Sequence, residues 1–261
     1  MQPYVVIEQA LMCGTPQEEL EMLQQTGTLA HLYPEVHAMV GFGGGQSGHK
    51  DLWWHTKLVV AQTIERPEVR WAALFHDVGK VPTFSREKGK VTFHGHEMMS
   101  ARLFDKAARR TGLPSAFRKH VRDLVRHLGQ VESYESHWTD SAVRRLHKQL
   151  APVWDDVVAL ACADITTKHA HKRRAHQKRM RELDERAKAI AEADASLPLL
   201  PKGLGRVIIE ALELTPGPEV GRVMKKLEAA VEAGTCPARA EPEVYVAFLK
   251  ACRTSERDAS P

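Results

Sequence analysis

Arg70-Trp71-Ala72-Ala73-Leu74-Phe75-His76-Asp77-Val78-Gly79-Lys80 is the stretch on which the fold turns. Its apolar residues recur at helical spacing, so a helix is expected over 70–78, with Trp71 in the buried stripe and Gly79 ending it. That helix presents His76 and Asp77 in its last turn. Adjacent residues cannot share one face of a regular helix, but at a fraying terminus both reach an ion set beyond the helix end. Imidazole nitrogens and carboxylate oxygens are the borderline and hard donors that hold Mn, Fe, Co, Ni, Zn or Mg.

Further donors lie on both sides of this doublet. A helix expected over 52–62 carries His55, with Leu58 and Val59 three and four positions on, so the histidine borders the buried stripe. On its own such a histidine is more often a satisfied core residue than a ligand; the set changes that reading. Residues 80–93, with Pro82, Gly89 and mixed charge, read as an exposed loop. A helix then runs from near His96 to about Arg110, and another after Pro114 carries His120, Leu124 and His127. Residues 141–149 form one more. Pro152 opens a long helix that contains Asp164 and continues toward Asp194.

The chain is therefore expected to be all-α, a helical bundle over residues 1–200 with a small helical extension over 201–261. The boundary falls at Pro198 and Pro201, which a helix cannot pass. Residues 41–48, with five glycines, are a loop and not a nucleotide-binding fingerprint, since no P-loop lysine follows.

Charged residues make up 27% of the 261 and hydrophobic ones 43%, and no apolar run approaches the ~20 residues of a membrane helix. Met1-Gln2-Pro3-Tyr4 does not open a secretory signal. Cys13, Cys162, Cys236 and Cys252 lack metal-ligand spacing. A cytoplasmic protein with reduced thiols is expected. The formal charge of +4 is uneven: from Lys168 to Arg181 seven basic residues, Lys168 and Lys172 among them, occur with no acidic one. Such a strip suits phosphates or RNA, and equally suits the solvated face of a long helix.

At His55, His76-Asp77 and Asp164 the chain resembles the HD-domain metal-dependent phosphohydrolases. The resemblance implies that those four residues hold one metal, with Asp77 bridging to a second. It also implies that His96 and His127 complete the second site, as in two-metal members. A narrower likeness rests on Tyr33-Pro34-Glu35, Asp51-Leu52-Trp53-Trp54-His55-Thr56, His76-Asp77-Val78-Gly79-Lys80, Phe93-His94-Gly95-His96-Glu97 and Leu214-Thr215-Pro216-Gly217-Pro218-Glu219-Val220-Gly221. These resemble the C-terminal HD half of bacterial CCA-adding tRNA nucleotidyltransferases and poly(A) polymerases, from about residue 20 to about 235. Only a short stretch precedes that region, and it lacks the Gly-Ser motif and paired aspartates of a nucleotidyltransferase head. CCA addition by this chain is not expected. The resemblance implies instead hydrolysis of 2′,3′-cyclic nucleotides and of nucleotide phosphomonoesters.

The expected reaction is phosphoester hydrolysis with one or two divalent ions, of Mn, Ni, Co, Fe or Mg type, acting on nucleotides or RNA ends. Asp77, Lys80 and His94 are the candidate catalytic residues: Lys80 as a partner for a phosphoryl oxygen or the leaving group, His94 as a proton shuttle. Lys80, Arg126, Lys168 and Lys172 are candidate phosphate contacts, and Trp53 a candidate stacking surface. Competing readings keep the site and change its use: a nucleoside 5′-monophosphate, dNTP or cyclic dinucleotide hydrolase, a diiron oxygenase, or a non-catalytic RNA-binding module. The oligomeric state is not legible.

Overall fold

In a computed structural model, residues 2–43, 51–87, 90–196 and 198–258 are described. Except for one hairpin the secondary structure there is helical, in two units, residues 1–190 and 191–261. Gly44 to Lys50, most of the glycine-rich loop, lies outside the described residues. The first unit runs α1 (Pro3–Met12), α2 (Pro16–Gln25), α3 (Thr28–Leu32), α4 (Pro34–His37), α5 (Leu52–Gln62), α6 (Pro67–Phe75) and α7 (Lys80–Thr83). Strands β1 (Ser85–Glu87) and β2 (Lys90–Thr92) follow, antiparallel, with Arg86 opposite Val91. Then come α8 (His96–Thr111), α9 (Ser115–Glu132), α10 (Asp140–Leu150), α11 (Trp154–Ala163) and the long α12 (Ala170–Ser196).

Local chemistry sets these boundaries. Proline opens α1, α2, α4 and α6 at a position whose N–H would be unpaired in any case. The Asp51 carboxylate accepts a 2.8 Å hydrogen bond from the Trp54 amide and so caps α5, the helix that carries His55. Gly112, at φ 84°, ends α8 in the left-handed conformation that favours glycine.

Two expectations from the sequence are corrected. The helix expected from Pro152 toward Asp194 is broken: α11 stops at Ala163, and Asp164 to His169 form a non-helical link before α12. The β-branched run Ile165-Thr166-Thr167 disfavours a helix there, and the break turns Asp164 and Thr166 toward His55. Lys168 consequently does not share a helix with Asp164 and Lys172. The loop expected over 80–93 holds the short α7 and the hairpin, whose Val91 and Thr92 are half-buried.

The core of this unit centres on α6, which packs between α5, α9 and α11. Trp71 is fully buried, with ring centroids 5.6 Å from Tyr33, 6.2 Å from Phe75 and 6.5 Å from Phe104. The Tyr33 hydroxyl is kept satisfied in this apolar setting by Thr111 Oγ1 at 2.9 Å. Trp53 is buried at 4% exposure while Trp54 is open, so the stacking surface assigned to Trp53 is core instead. The second unit has α13 (Leu204–Leu212), α14 (Pro218–Glu232) and α15 (Pro242–Asp258) around a separate core that includes Ile208, Leu227 and Tyr245. No described helix is long and apolar enough to cross a membrane.

Candidate metal centre

His76 is the C-cap of α6, one residue past the last helical turn, and Asp77 begins the tight turn that Gly79 and α7 complete. The doublet is thus released from helical geometry at the end of a buried helix, and both side chains are almost fully buried, at 3% and 2% exposure. His55 comes from α5 and Asp164 from the C-cap of α11. His55 Nε2 lies 3.2 Å from His76 Nε2 and 3.0 Å from Asp164 Oδ1, and Asp164 Oδ1 is 3.5 Å from His76 Nε2. These three donors converge as a cluster able to hold a metal ion. Asp77 Oδ2 is 3.3 Å from His76 Nε2 and 3.5 Å from His55 Nε2, on the same centre.

The far ring nitrogens orient the donors. His76 Nδ1 donates to the Ala73 carbonyl at 2.7 Å, and His55 Nδ1 lies 2.8 Å from Thr166 Oγ1. Each contact turns an Nε2 toward the centre, as supporting hydrogen bonds do around metal-bound imidazoles. Asp164 Oδ1 is buried with no hydrogen-bond partner among the described residues, an arrangement a cation would complete. Two imidazole nitrogens with two carboxylates suit a hard or borderline divalent ion.

The electrostatics agree. Burial disfavours a charged His76, but the Asp77 and Asp164 carboxylates override it and raise the imidazole well above its usual range. Burial likewise opposes ionisation of Asp77, and the His76 and Lys80 cations outweigh it, holding the carboxyl far below the usual range. Lys80 Nζ bonds Asp77 Oδ2 at 2.7 Å. Asp77 is therefore anionic, pressed between cationic groups that a divalent ion would replace or supplement.

The remaining candidates fall at different places. His96 opens α8, donates Nδ1–H to the Phe93 carbonyl at 3.0 Å, and sets Nε2 3.8 Å from Asp77 Oδ1. The two Asp77 oxygens thus face different histidines. His127, on α9, has Nδ1 3.2 Å from Gln130 Oε1 and lines a groove with Gly95, Glu97 and Arg126. Arg126 is exposed on that groove, His94 is exposed in the loop before α8, and Lys168 and Lys172 are exposed beyond Asp164.

One acidic group at the centre escaped the sequence reading. Glu132, in the last turn of α9, is set beside the Asp164 carboxylate; burial and then the Asp164 charge push its carboxyl up to about 9. In the metal-free protein this favours the neutral carboxyl at neutral pH. Its only local signal is position: it continues the α9 stripe of Val121, Leu124, Val125 and Leu128, where an apolar residue is expected.

Beside the donors opens a cavity of about 420 Å³, lined by His55, Asp77, Lys80 and Asp164 on one side and by Leu52, Phe42 and Phe93 on another. The HD domain family matches residues 54–198, more than half of the chain and spanning every donor named above. The chain belongs to the HD-domain family. An HD domain bearing this His, His, Asp cluster supports metal-dependent phosphohydrolase chemistry. Among known proteins, the A-adding tRNA nucleotidyltransferase of Deinococcus radiodurans is 30% identical over 86% of this chain and 52% of its own length. The CC-adding tRNA nucleotidyltransferase of Thermus thermophilus is 28% identical over 93% of this chain and 55% of its own. The multifunctional CCA protein of Shewanella denitrificans is 32% identical over 42% of this chain and 28% of its own. This HD-domain chain spans about half the length of the first two.

Proposed function

We propose that the chain hydrolyses phosphoesters of nucleotides or RNA ends, with 2′,3′-cyclic nucleotides and nucleotide phosphomonoesters as the substrate class. The observation that carries the nucleotide reading is the 420 Å³ cavity, which sets an apolar aromatic wall opposite the buried anionic donors. A phosphate alone has no use for Phe42, Phe93 and Leu52; a base or ribose attached to it does. The relatives support the same class, since those proteins are named for work on tRNA.

His55, His76, Asp77 and Asp164 would hold one divalent ion, and His96 with the second Asp77 oxygen, and His127, a second. Such ions supply charge neutralisation at phosphoryl oxygens and acidify water at neutral pH. The protein's own groups do the rest. Lys80 places its ammonium at the edge of the cavity, where a phosphoryl oxygen or leaving oxygen can take it from Asp77. Phe42 and Phe93 exclude water from one side of that position. His94, exposed before α8, is placed to exchange protons with solvent. The exposed Lys168 and Lys172 and the half-buried and exposed residues that follow to Arg181 offer an RNA contact beyond the site. The four cysteines are free, as in a reducing cytoplasm.

The test is turnover of a panel of 2′,3′-cyclic nucleotides, 2′- and 3′-phosphates, 5′-monophosphates and dNTPs by chelator-stripped protein given Mn, Ni, Co or Mg. Metal-dependent release from the first two groups, lost in Asp77→Asn, is the expected result. Turnover of only 5′-monophosphates or dNTPs moves the substrate class, and silence with metal bound overturns the reading.

A further inference from the structure

Away from the metal, α8 and α9 enclose a groove of about 660 Å³ whose wall carries Arg102, Lys106, Arg109, Arg122 and Arg126 against one carboxylate, Asp105. The local excess of four positive charges equals the formal net charge of the whole 261-residue chain. Asp105 is already taken: it bonds Arg109 Nε at 2.8 Å and lies 3.0 Å from Arg118 Nε. Arg102, Lys106 and Arg126 make no hydrogen bond or ion pair with another described residue and are exposed. Arg109 is held by Asp105, and Arg122 lies 3.3 Å from Asp123, which leaves Arg102, Lys106 and Arg126 as the cations of this wall that a polyanion can take.

The groove also has a direction. It shares Met98 and Arg126 with the neighbouring groove of about 510 Å³, which reaches Gly95 and Glu97. Between those two stands His96, with Nε2 3.8 Å from Asp77, and two residues before Gly95 stands Phe93, in the wall of the metal cavity. A chain lying along the α8–α9 face is therefore led across one short loop to the reaction centre. From Arg102 to Arg109 the helix advances about 10 Å, the length of about three nucleotides at the ~3.4 Å rise of a stacked strand. Exposed Met98, at 47%, offers an apolar contact at the turn of the path.

We propose that the α8–α9 groove binds the phosphodiester backbone of a single-stranded nucleic acid whose terminal nucleotide enters the metal cavity. The direction of the strand rests on the nucleotide reading of that cavity; the affinity of the groove does not. The strip from Lys168 to Arg181 is a separate surface, on the link and α12.

The experiment uses the full chain and the double variant Arg102→Glu, Lys106→Glu, neither residue belonging to the metal cavity. Binding of a 5′-labelled twelve-nucleotide RNA with a 3′-phosphate is followed by fluorescence anisotropy in chelator, so that no turnover intervenes, beside a DNA of the same sequence and a poly-glutamate peptide. The wild type is expected to bind the twelve-mers at least tenfold more tightly than a mononucleotide, and the variant to lose at least tenfold. The log–log salt slope should fall by about 1.4, about 0.7 for each single-strand phosphate contact removed. Hydrolysis of a mononucleotide by the variant, with metal restored, should match the wild type. Equal binding of RNA and DNA supports backbone recognition, and preference for RNA adds the ribose hydroxyl to it. Unchanged RNA affinity in the variant, or a groove that takes poly-glutamate and not the twelve-mers, overturns the proposal. RNA binding lost in the variant without hydrolysis of any substrate by the wild type would leave the groove standing and remove the hydrolase reading instead.

Discussion

Replacing Gly79 by alanine separates two roles of that residue. Its φ of −68° is open to any amino acid, so backbone freedom is not the reason for a glycine. Proximity is: a Cβ built there meets Ser100 N at 2.6 Å and Ser100 Oγ at 2.7 Å, and comes closer still to the His96 carbonyl oxygen. Ordinary contact needs about 3.4 Å or more, so the first turn of α8 must retreat by about an ångström or more. The Gly79 amide also donates to Ser100 Oγ at 2.8 Å, a bond that retreat strains. Overpacking of a tight site costs about 1–3 kcal/mol, and because two of the obstructing atoms are backbone the upper end applies. For a unit of this size about 3 kcal/mol corresponds to a fall in Tm of roughly 6–12 °C.

Gly129→Ala is the control. Its Cβ meets Glu97 Oε1 at 2.6 Å, nominally the same clash, but that atom ends a flexible side chain. Glycine to alanine inside α9 also gains up to about 1 kcal/mol of helix propensity, so a net change within about 1 kcal/mol is expected. Thermal melts of both variants, with metal titrations by calorimetry, make the comparison. Gly79→Ala should also weaken binding at the second site proposed for His96, since His96 moves with α8. The reasoning is refuted if Gly79→Ala melts within about 2 °C of the wild type or no lower than Gly129→Ala.

Asp77→Asn keeps the size of the side chain and removes its charge; metal affinity, read by calorimetry, should fall by more than the ~10–100-fold typical of a supporting contact, with circular dichroism unchanged. Lys80→Met leaves buried Asp77 without its 2.7 Å partner. The metal-free variant should lose on the order of 2 kcal/mol in urea melts, and saturating Mn should restore most of it; an equal loss with and without Mn would show that Lys80 is not the counter-cation. Glu132 has a folded-state carboxyl raised from 4.5 to about 9, so its contribution is fully present below about pH 4.5 and is lost as pH rises toward 9. The metal-free protein should therefore weaken between pH 5 and 9 more than Glu132→Gln does, and parallel pH profiles would dismiss the assignment. Trp71→Ala, at the fully buried centre of the core, should cost about 3–5 kcal/mol.

Much of this is written locally in the chain. The limits of α5, the stop of α6 near the doublet and the start of α8 at His96 follow from apolar period, proline position and glycine, properties that act within a few residues. The donor types of His55, His76, Asp77 and Asp164 are legible in the same way, because coordination chemistry depends on the side chain and not on its neighbours. What tertiary structure decided is which groups meet. Asp164 reaches His55 only because α11 breaks at Ala163 and packs beside α5 and α6, a break the sequence reading passed over. Glu132 is an ordinary polar residue of α9 until α9 packs against α11 and sets it on Asp164. Trp53 and Trp54 are indistinguishable by composition, yet one is core and the other open, since helix rotation against the bundle chooses the buried face. Gly79 reads as a helix terminator and acts as the point where α8 touches the doublet turn. Periodicity and residue chemistry are short-range and survive in one dimension; contact, burial and field strength are sums over groups distant in sequence, and exist only once the chain is packed.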